Sequence, residues 1–347
     1  MSQLVLSIPP HEATKSLFVE LPARRMRDVI EKRFGLKGGK QKTLQTIGDE
    51  YKITRERVRQ IEADALKHLR RMASRENLGP LYHTFIQYLQ YHQGVMGEAR
   101  LLADAGPVKS HPHVILLLNI SSSFTHLPET VSCVSRWALD TRDAARLEEM
   151  LERVVQRIAQ DKRLVSEEQL FLIALESAKD TYGVELPREV VASHIEISTR
   201  IRKNPYGEYG LSEWPQISPS GVKDKAYGAL AKADKPLHFR EVAQAIDRAG
   251  WSKRRAHPQT VHNELIKDGR FVLVGRGLYA LKEWGYEPGS VRDIMVAALK
   301  GARRPLSREE IISSALQKRH VKVPTILLNL QNQSVFKRTE DGKYMLA

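Results

Sequence analysis

The residues of this chain best suited to chemistry lie between Thr54 and Ile61, in the order Thr54-Arg55-Glu56-Arg57-Val58-Arg59-Gln60-Ile61. Thr54 can cap a helix by accepting a hydrogen bond from a backbone amide near its start. Val58, Ile61, Ala65, Leu66 and Leu69 then share one side and predict its buried face. Arg55, Glu56, Arg59 and Gln60 fall on the opposite side, in the first two turns. A recognition helix meets base edges with that part of its surface. Arg can pair bidentately with guanine, Glu can accept from the cytosine amino group, and Gln can pair with adenine. On a recognition helix, these four would be the base-reading candidates. Thr43, Thr54, Arg57, Lys37, Lys40 and Lys42 are the backbone candidates, of types suited to phosphate; Arg57 and the lysines also suit a protein partner. A solvated helix face rich in Arg and Glu has the same composition, so the pattern alone leaves both readings open.

The elements that position these residues are legible upstream. Residues 1–15 show little pattern and read as a loose leader. Helical periodicity begins near Pro22, with Met26, Val29, Ile30 and Phe34 at helical spacing and Gly35 suited to a left-handed end. Lys37 to Lys42 reads as a polar loop. Thr43 can cap a helix that buries Leu44 and Ile47, and Gly48 to Lys52 reads as a further short segment and turn.

Three stretches in this order, Arg27 to Leu36, Thr43 to Gly48 and Ile53 to Arg70, resemble the fourth conserved region of bacterial sigma-70 factors. The resemblance implies a helix-turn-helix that reads the −35 promoter element through Arg55, Glu56, Arg59 and Gln60. It also implies a contact with the polymerase flap. The family's promoter-melting domain has no counterpart upstream of Arg24, so the expectation is promoter reading without promoter opening.

The C-terminal half repeats itself. Gly207-Glu208-Tyr209-Gly210-Leu211-Ser212-Glu213-Trp214 matches Gly277-Leu278-Tyr279-Ala280-Leu281-Lys282-Glu283-Trp284, and Gly342-Lys343-Tyr344-Met345-Leu346 is a shorter copy. Thr260, Leu265, Phe271 and Gly277 match Thr325, Leu330, Phe336 and Gly342 at one offset; Pro236-Leu237 matches Pro305-Leu306. Each copy reads as helix, Pro-Leu turn, helix, helix and two strands joined at a Gly, the order of a winged helix-turn-helix. Copies are read at 221–285 and 288–347, with a third at 145–215. A fourth near 78–140 rests on Trp137 and the helix around Val114 to Leu118.

The 221–285 copy resembles the HARE-type helix-turn-helix, through Lys235-Pro236-Leu237-His238-Phe239-Arg240-Glu241-Val242 and Thr260-Val261-His262-Asn263-Glu264-Leu265. That family includes the N-terminal domain of the RNA polymerase delta subunit and modules fused to chromatin and restriction proteins. Around its third helix, Lys253, Arg254, Arg255, His257, Gln259, Thr260, His262, Asn263 and Arg276 form a second tier of DNA-contact candidates. Lys318, Arg319, Lys322 and Thr325 take the same part in the last copy.

Composition narrows the alternatives. The 347 residues carry 55 Lys and Arg against 41 Asp and Glu, a net charge of +14. Basic residues outnumber acidic ones 17 to 10 over 1–76, 13 to 8 over 221–287 and 11 to 5 over 288–347, while 77–220 is acidic at 14 to 18. Two basic ends of this kind can displace counterions from DNA. The middle reads as a helical spacer facing protein. At 41% hydrophobic residues the chain can build packed cores. A single cysteine, Cys133, excludes a disulfide framework, and the apolar run Val114 to Leu118 is too short to span a bilayer. His111-Pro112-His113 lacks the further ligands of a metal site, Gly35 to Lys42 lacks phosphate-loop spacing, and Glu148-Glu149 and Glu167-Glu168 point to different helix faces. No cofactor, metal or catalytic activity is expected, and neither is a membrane.

The expected fold is mainly α and multidomain. A region 4-like helix-turn-helix (1–76) is followed by a helical region with a degenerate winged helix (77–144). A winged-helix-like unit (145–220), a HARE-type unit (221–287) and a C-terminal repeat (288–347) complete the chain. The expected function is a cytoplasmic, nucleoid-associated transcription regulator that binds double-stranded DNA and RNA polymerase core. Its alternatives are a delta-like polymerase accessory subunit and the DNA-recognition part of a restriction or repair system.

Overall fold

The computed structural model describes residues 4–73, 78–251, 254–286, 289–318 and 321–347. These form sixteen α-helices and small antiparallel sheets, grouped into two compact units, Met1–Arg202 and Lys203–Ala347.

The first unit opens with α1 (Pro10–Val19), where a loose leader is expected. Pro10 suits the first helical turn, and Ala13, Thr14, Leu17 and Phe18 bury at helical spacing. The correction has a physical reason: so short a stripe gains its stability only from the surface it covers. Next come α2 (Arg24–Phe34), α3 (Leu44–Tyr51) and α4 (Arg55–Ala73). Gly35 ends α2 at φ +71°, where a Cβ would lie 2.6 Å from the Gly39 carbonyl oxygen. Gly48 does not begin a separate segment, because α3 runs through it to Tyr51. A Cβ at Gly48 would lie 2.7 Å from the Ile53 carbonyl oxygen, so glycine there lets the turn into α4 fold back on α3.

Four further runs share one element order. The first is α5 (Gly79–Tyr91), β1 (Val95–Gly97), α6 (Glu98–Ala105), α7 (His111–Ile120), β2 (Thr125–Leu127) and β3 (Arg136–Ala138). Its sheet runs β1-β3-β2 and pairs Met96 with Trp137. The second is α8 (Thr141–Asp161), α9 (Glu167–Tyr182), α10 (Arg188–Ile197), β4 (Ile201–Lys203) and β5 (Tyr209–Leu211), and the division between the compact units falls within β4. The third is α11 (Val222–Ala233), β6 (Leu237–His238), α12 (Phe239–Ala249), α13 (Pro258–Lys267), β7 (Phe271–Gly275) and β8 (Leu278–Leu281), with sheet order β6-β8-β7. The fourth is α14 (Val291–Ala302), α15 (Arg308–Lys318), α16 (Val323–Leu330), β9 (Phe336–Arg338) and β10 (Tyr344–Leu346).

The last two runs correspond residue by residue. Leu237 pairs with Tyr279, and Leu306 bridges Tyr344. His238 with Glu241 and Ser307 with Glu310 make the same reciprocal cap at the start of the second helix. Gly277 and Gly342 turn their wings at φ +70° and +77°.

The third helices meet different fates. On α7, Val114, Leu116, Leu117, Leu118 and Ile120 are buried, and the helix packs on α1, α2 and α4. Leu17, Phe18, Ile30, Ala65 and Leu69 join its apolar cluster, together with Phe85 and Trp137. On α10, Val190, Val191, Ser193, His194, Ile195 and Ile197 are buried, and the helix packs on β1. The His194 Nε2 lies 3.0 Å from the His92 carbonyl oxygen, and His92 Nδ1 lies 2.9 Å from Ser193 Oγ. The acidic middle is therefore packing structure rather than a bare spacer. It buries two helices that occupy the reading position of a winged helix.

Candidate nucleic-acid interface

With α7 and α10 covered, the third helices with open faces are α4, α13 and α16, polar on the first two and largely apolar on α16. The first begins from a well-formed turn. Thr43 Oγ1 accepts from the Thr46 amide at 3.1 Å and starts α3. Ile53 N–H donates to the Gly48 carbonyl at 2.9 Å, Lys52 takes φ +54°, and Thr54 Oγ1 accepts from the Arg57 amide at 3.2 Å. Val58 and Ile61 pack with Val29 and Ile47 in a core of their own, which fixes the rotation of α4. Arg55, Glu56, Arg57, Arg59 and Gln60 are all exposed as a result.

These side chains engage one another. Arg59 donates to both Glu56 oxygens, from Nε at 2.9 Å and Nη2 at 2.7 Å. The hydrogen bond from Arg59 holds the Glu56 carboxyl below its usual range, and the same contact raises the guanidinium. Arg57 Nη1 donates to Gln60 Oε1 at 3.0 Å. Donors and acceptors of this exposed face are thus paired along the helix by solvent-exposed contacts, which an incoming ligand can replace without uncovering a core.

The basic loop divides. Lys37 pairs with Glu31 at 2.6 Å, and Lys42 pairs with Glu50, which also takes Lys32 at 3.0 Å. Lys40 is exposed on the loop. Arg24, Arg25, Gln45, Thr46 and Lys52, outside the candidates drawn from sequence, are also exposed on or beside α2 and α3. Arg25 lies 4.9 Å above the Tyr51 ring. Their signal was available, because Thr43 marks the helix start and Gln45 and Thr46 stand in its first turn.

On α13, Val261 and Leu265 are buried, while Gln259, Thr260 and Asn263 are exposed. Gln259 Nε2 donates to Asn263 Oδ1 at 3.3 Å. His257 caps the helix end without a side-chain bond, Arg254 and Arg255 are exposed before it, and Arg276 is exposed in the wing turn. His262 stands apart from this group. It stacks on Phe239 at 4.5 Å and meets Tyr279 edge-on at 5.8 Å, bracing the helix against its neighbours. Lys253 and Arg319 lie outside the described residues. On the last unit, Lys322 and Thr325 are exposed and Lys318 is half-buried.

The histidines of the His-Pro-His run serve the packing of α7. His113 Nδ1 lies 2.6 Å from Thr14 Oγ1, and His111 Nε2 lies 3.1 Å from the Gly106 carbonyl. Among the described residues, no three His, Cys, Asp or Glu gather as a metal site, and no helix is long and apolar enough to cross a membrane.

Residues 18–71 match the family model for sigma-70, region 4. Residues 221–284 match the HARE-HTH model, whose description names ASXL and a restriction endonuclease HTH domain. The chain carries a sigma-70 region 4 and a HARE-type domain. Both are DNA-binding helix-turn-helix domains, which supports a DNA-binding role for these two segments. The first segment is 44% identical over 69 residues to the RNA polymerase sigma factor SigA of Microcystis aeruginosa, covering 18% of this chain and 17% of that protein. It is 52% identical over 46 residues to SigA of Lactococcus lactis subsp. cremoris, covering 13% of each. It is 39% identical over 71 residues to the principal sigma factor HrdD of Streptomyces griseus, covering 20% and 21%. The chain thus spans about a fifth or less of the length of the sigma factors it matches.

Proposed function

We propose that this protein is a transcription regulator that reads a −35-type promoter element through α4, with α13 as a second reading helix on the same DNA. The observation that carries the reading is the exposure of Arg55, Glu56, Arg59 and Gln60 on one face of a capped helix whose other face is held by Val58 and Ile61. Arg24, Arg25 and Lys40 stand as phosphate contacts around it. Linking two reading helices in one chain raises their effective concentration on a shared duplex, so the footprint is longer than one helix requires. The protein acts at the nucleoid.

RNA polymerase core is proposed as the partner with which promoter reading is coupled, but α4 on DNA comes first. Two observations favour that order. The apolar back of the region 4 segment is already covered by α7 of the same chain. The acidic groups of α8 and α9 are largely engaged within the fold: Arg153 takes Glu149, Arg200 takes Glu152, and Arg157 takes Glu176 and Asp180.

The test is fluorescence anisotropy of the full chain on duplexes with and without a −35-type hexamer, at several salt concentrations. Arg55→Ala and Arg59→Ala are expected to abolish the preference for the hexamer while leaving salt-dependent, non-specific binding. Equal affinity of the unaltered chain for both duplexes would remove the sigma-like reading. Co-purification of polymerase after nuclease treatment tests the second partner.

A further inference from the structure

The C-terminal unit lies beyond both family matches, and its third helix carries a different surface chemistry. The residue correspondence with the unit before it runs through Thr260 and Thr325, Leu265 and Leu330, Phe271 and Phe336, and Tyr279 and Tyr344. The matching Leu237–Tyr279 and Leu306–Tyr344 pairs fix it in space. In α13 the open face shows Thr260 and then Asn263, one turn apart. In α16 the equivalent positions are Thr325 and Leu328.

Leu328 is 67% exposed, although a buried alternative lies on either side of it: Ile326 and Leu330 are 0% and 5% exposed and already hold the helix on its core. The same unit exposes several cations. Lys322 caps the helix, and Lys337, Arg338 and Lys343 are exposed on the wing that follows. Glu340 and Asp341 are exposed at the wing tip. Pro324 and Val323 are exposed on the same helix, and the unit that carries them, 288–347, holds 11 basic against 5 acidic residues, a balance that suits a polyanionic duplex. The major groove presents one apolar group, the C5-methyl of thymine, among hydrogen-bonding edges flanked by phosphates.

We propose that α16 is a further DNA-reading helix and that Leu328 contacts a thymine methyl group, so that the last unit selects an A·T pair. Thr325 stands one turn before it on the same face, and Lys322, Lys337 and Lys343 set the register through phosphates. The proposal rests on the DNA-binding reading of α4 and α13 and adds a third segment to the footprint.

The experiment begins with recovery of preferred duplexes from a random library by the full chain. Single thymines of the preferred duplex are then replaced by uracil, which removes only the methyl group. At one thymine the replacement is expected to weaken binding about fourfold, the effect of one buried methyl. Leu328→Ala is expected to weaken binding to the thymine duplex by a similar factor and to abolish the uracil penalty at that position alone, leaving every other position unchanged. The variant removes an exposed side chain, and a melting curve matching that of the unaltered chain shows that it folds. Should no thymine show a penalty that Leu328→Ala removes, α16 does not read bases and the proposal is overturned. Arg59→Ala and Asn263→Ala, measured on the same duplex, report on α4 and α13. If they weaken binding while the uracil series is flat, the α16 proposal alone falls; if no duplex is enriched, both readings fall.

Discussion

Leu69→Ala tests whether the region 4 segment is one folding unit with the winged helix behind it. Leu69 lies on α4 but belongs to the cluster that contains Phe85 and Trp137, not to the small core of Val29, Ile47, Val58 and Ile61. Its side chain is fully enclosed at 0% exposure. The change removes three carbon groups, about 2.4 kcal/mol of transfer free energy. The cavity left in a packed cluster brings the cost to about 3–5 kcal/mol. For a unit of this size that corresponds to a fall in melting temperature of about 6–20 °C. Hydrogen exchange read by mass spectrometry localises the effect. Leu69→Ala is expected to accelerate exchange in α5 and α7 as well as in α2 and α4, and Phe85→Ala is expected to produce the same pattern. If Leu69→Ala loosened only 24–73 while 79–120 kept its protection, the shared core would not be one cooperative structure. In that case α7 does not hold α4 in place.

Other perturbations probe the remaining claims. Arg59→Lys keeps the charge but loses the two-pronged donor geometry. It is expected to weaken binding to the preferred duplex on the order of tenfold with an unchanged salt slope; a changed slope with intact preference would make Arg59 a phosphate contact. His92 is held near a pKa of about 4 by burial and by His194, below its ordinary 6.5. The unfolded chain therefore takes up a proton between those values that the folded chain does not. Stability of the first unit is full above about pH 6.5 and falls by about 3 kcal/mol on the way to pH 4. Urea titrations across this range are expected to show that slope and to show a shallower one in His92→Gln, the remainder coming from His194 and His113, which burial also holds below the ordinary value; an unchanged slope in the variant would assign it to other groups. Gly277→Ala places a Cβ 2.6 Å from His238 Nε2 at φ +70°. It is expected to destabilise the second unit by about 1–3 kcal/mol, measured as a melting shift that Gly269→Ala, in open space, does not share.

Much of this architecture is legible one element at a time. Thr43 and Thr54 mark helix starts because their hydroxyls answer amides within their own turn. Gly35, Gly277 and Gly342 mark reversals because left-handed backbone is costly for other residues. Val58 and Ile61 orient α4, so Arg55, Glu56, Arg59 and Gln60 must share the opposite face. Each of these signals is carried by residues within a turn or two of one another, and spacing along the chain suffices to read it.

What covers an apolar face is another matter. Val58 and Leu69 follow the same periodicity on the same helix, yet one closes the core of the helix-turn-helix and the other closes a core shared with α7. The stripe on α1 and the apolar run of α7 show that both must be buried, without naming each other as partners. The four winged runs share one element order, and which third helices turn inward depends on the surfaces that meet them. Hydrophobic burial is non-directional, so a pattern in sequence fixes the side that leaves water but not the neighbour that receives it. Local chemistry thus marks α4 as a candidate reading helix. Only tertiary packing withdrew α7 and α10 from that role and left α4, α13 and α16 open.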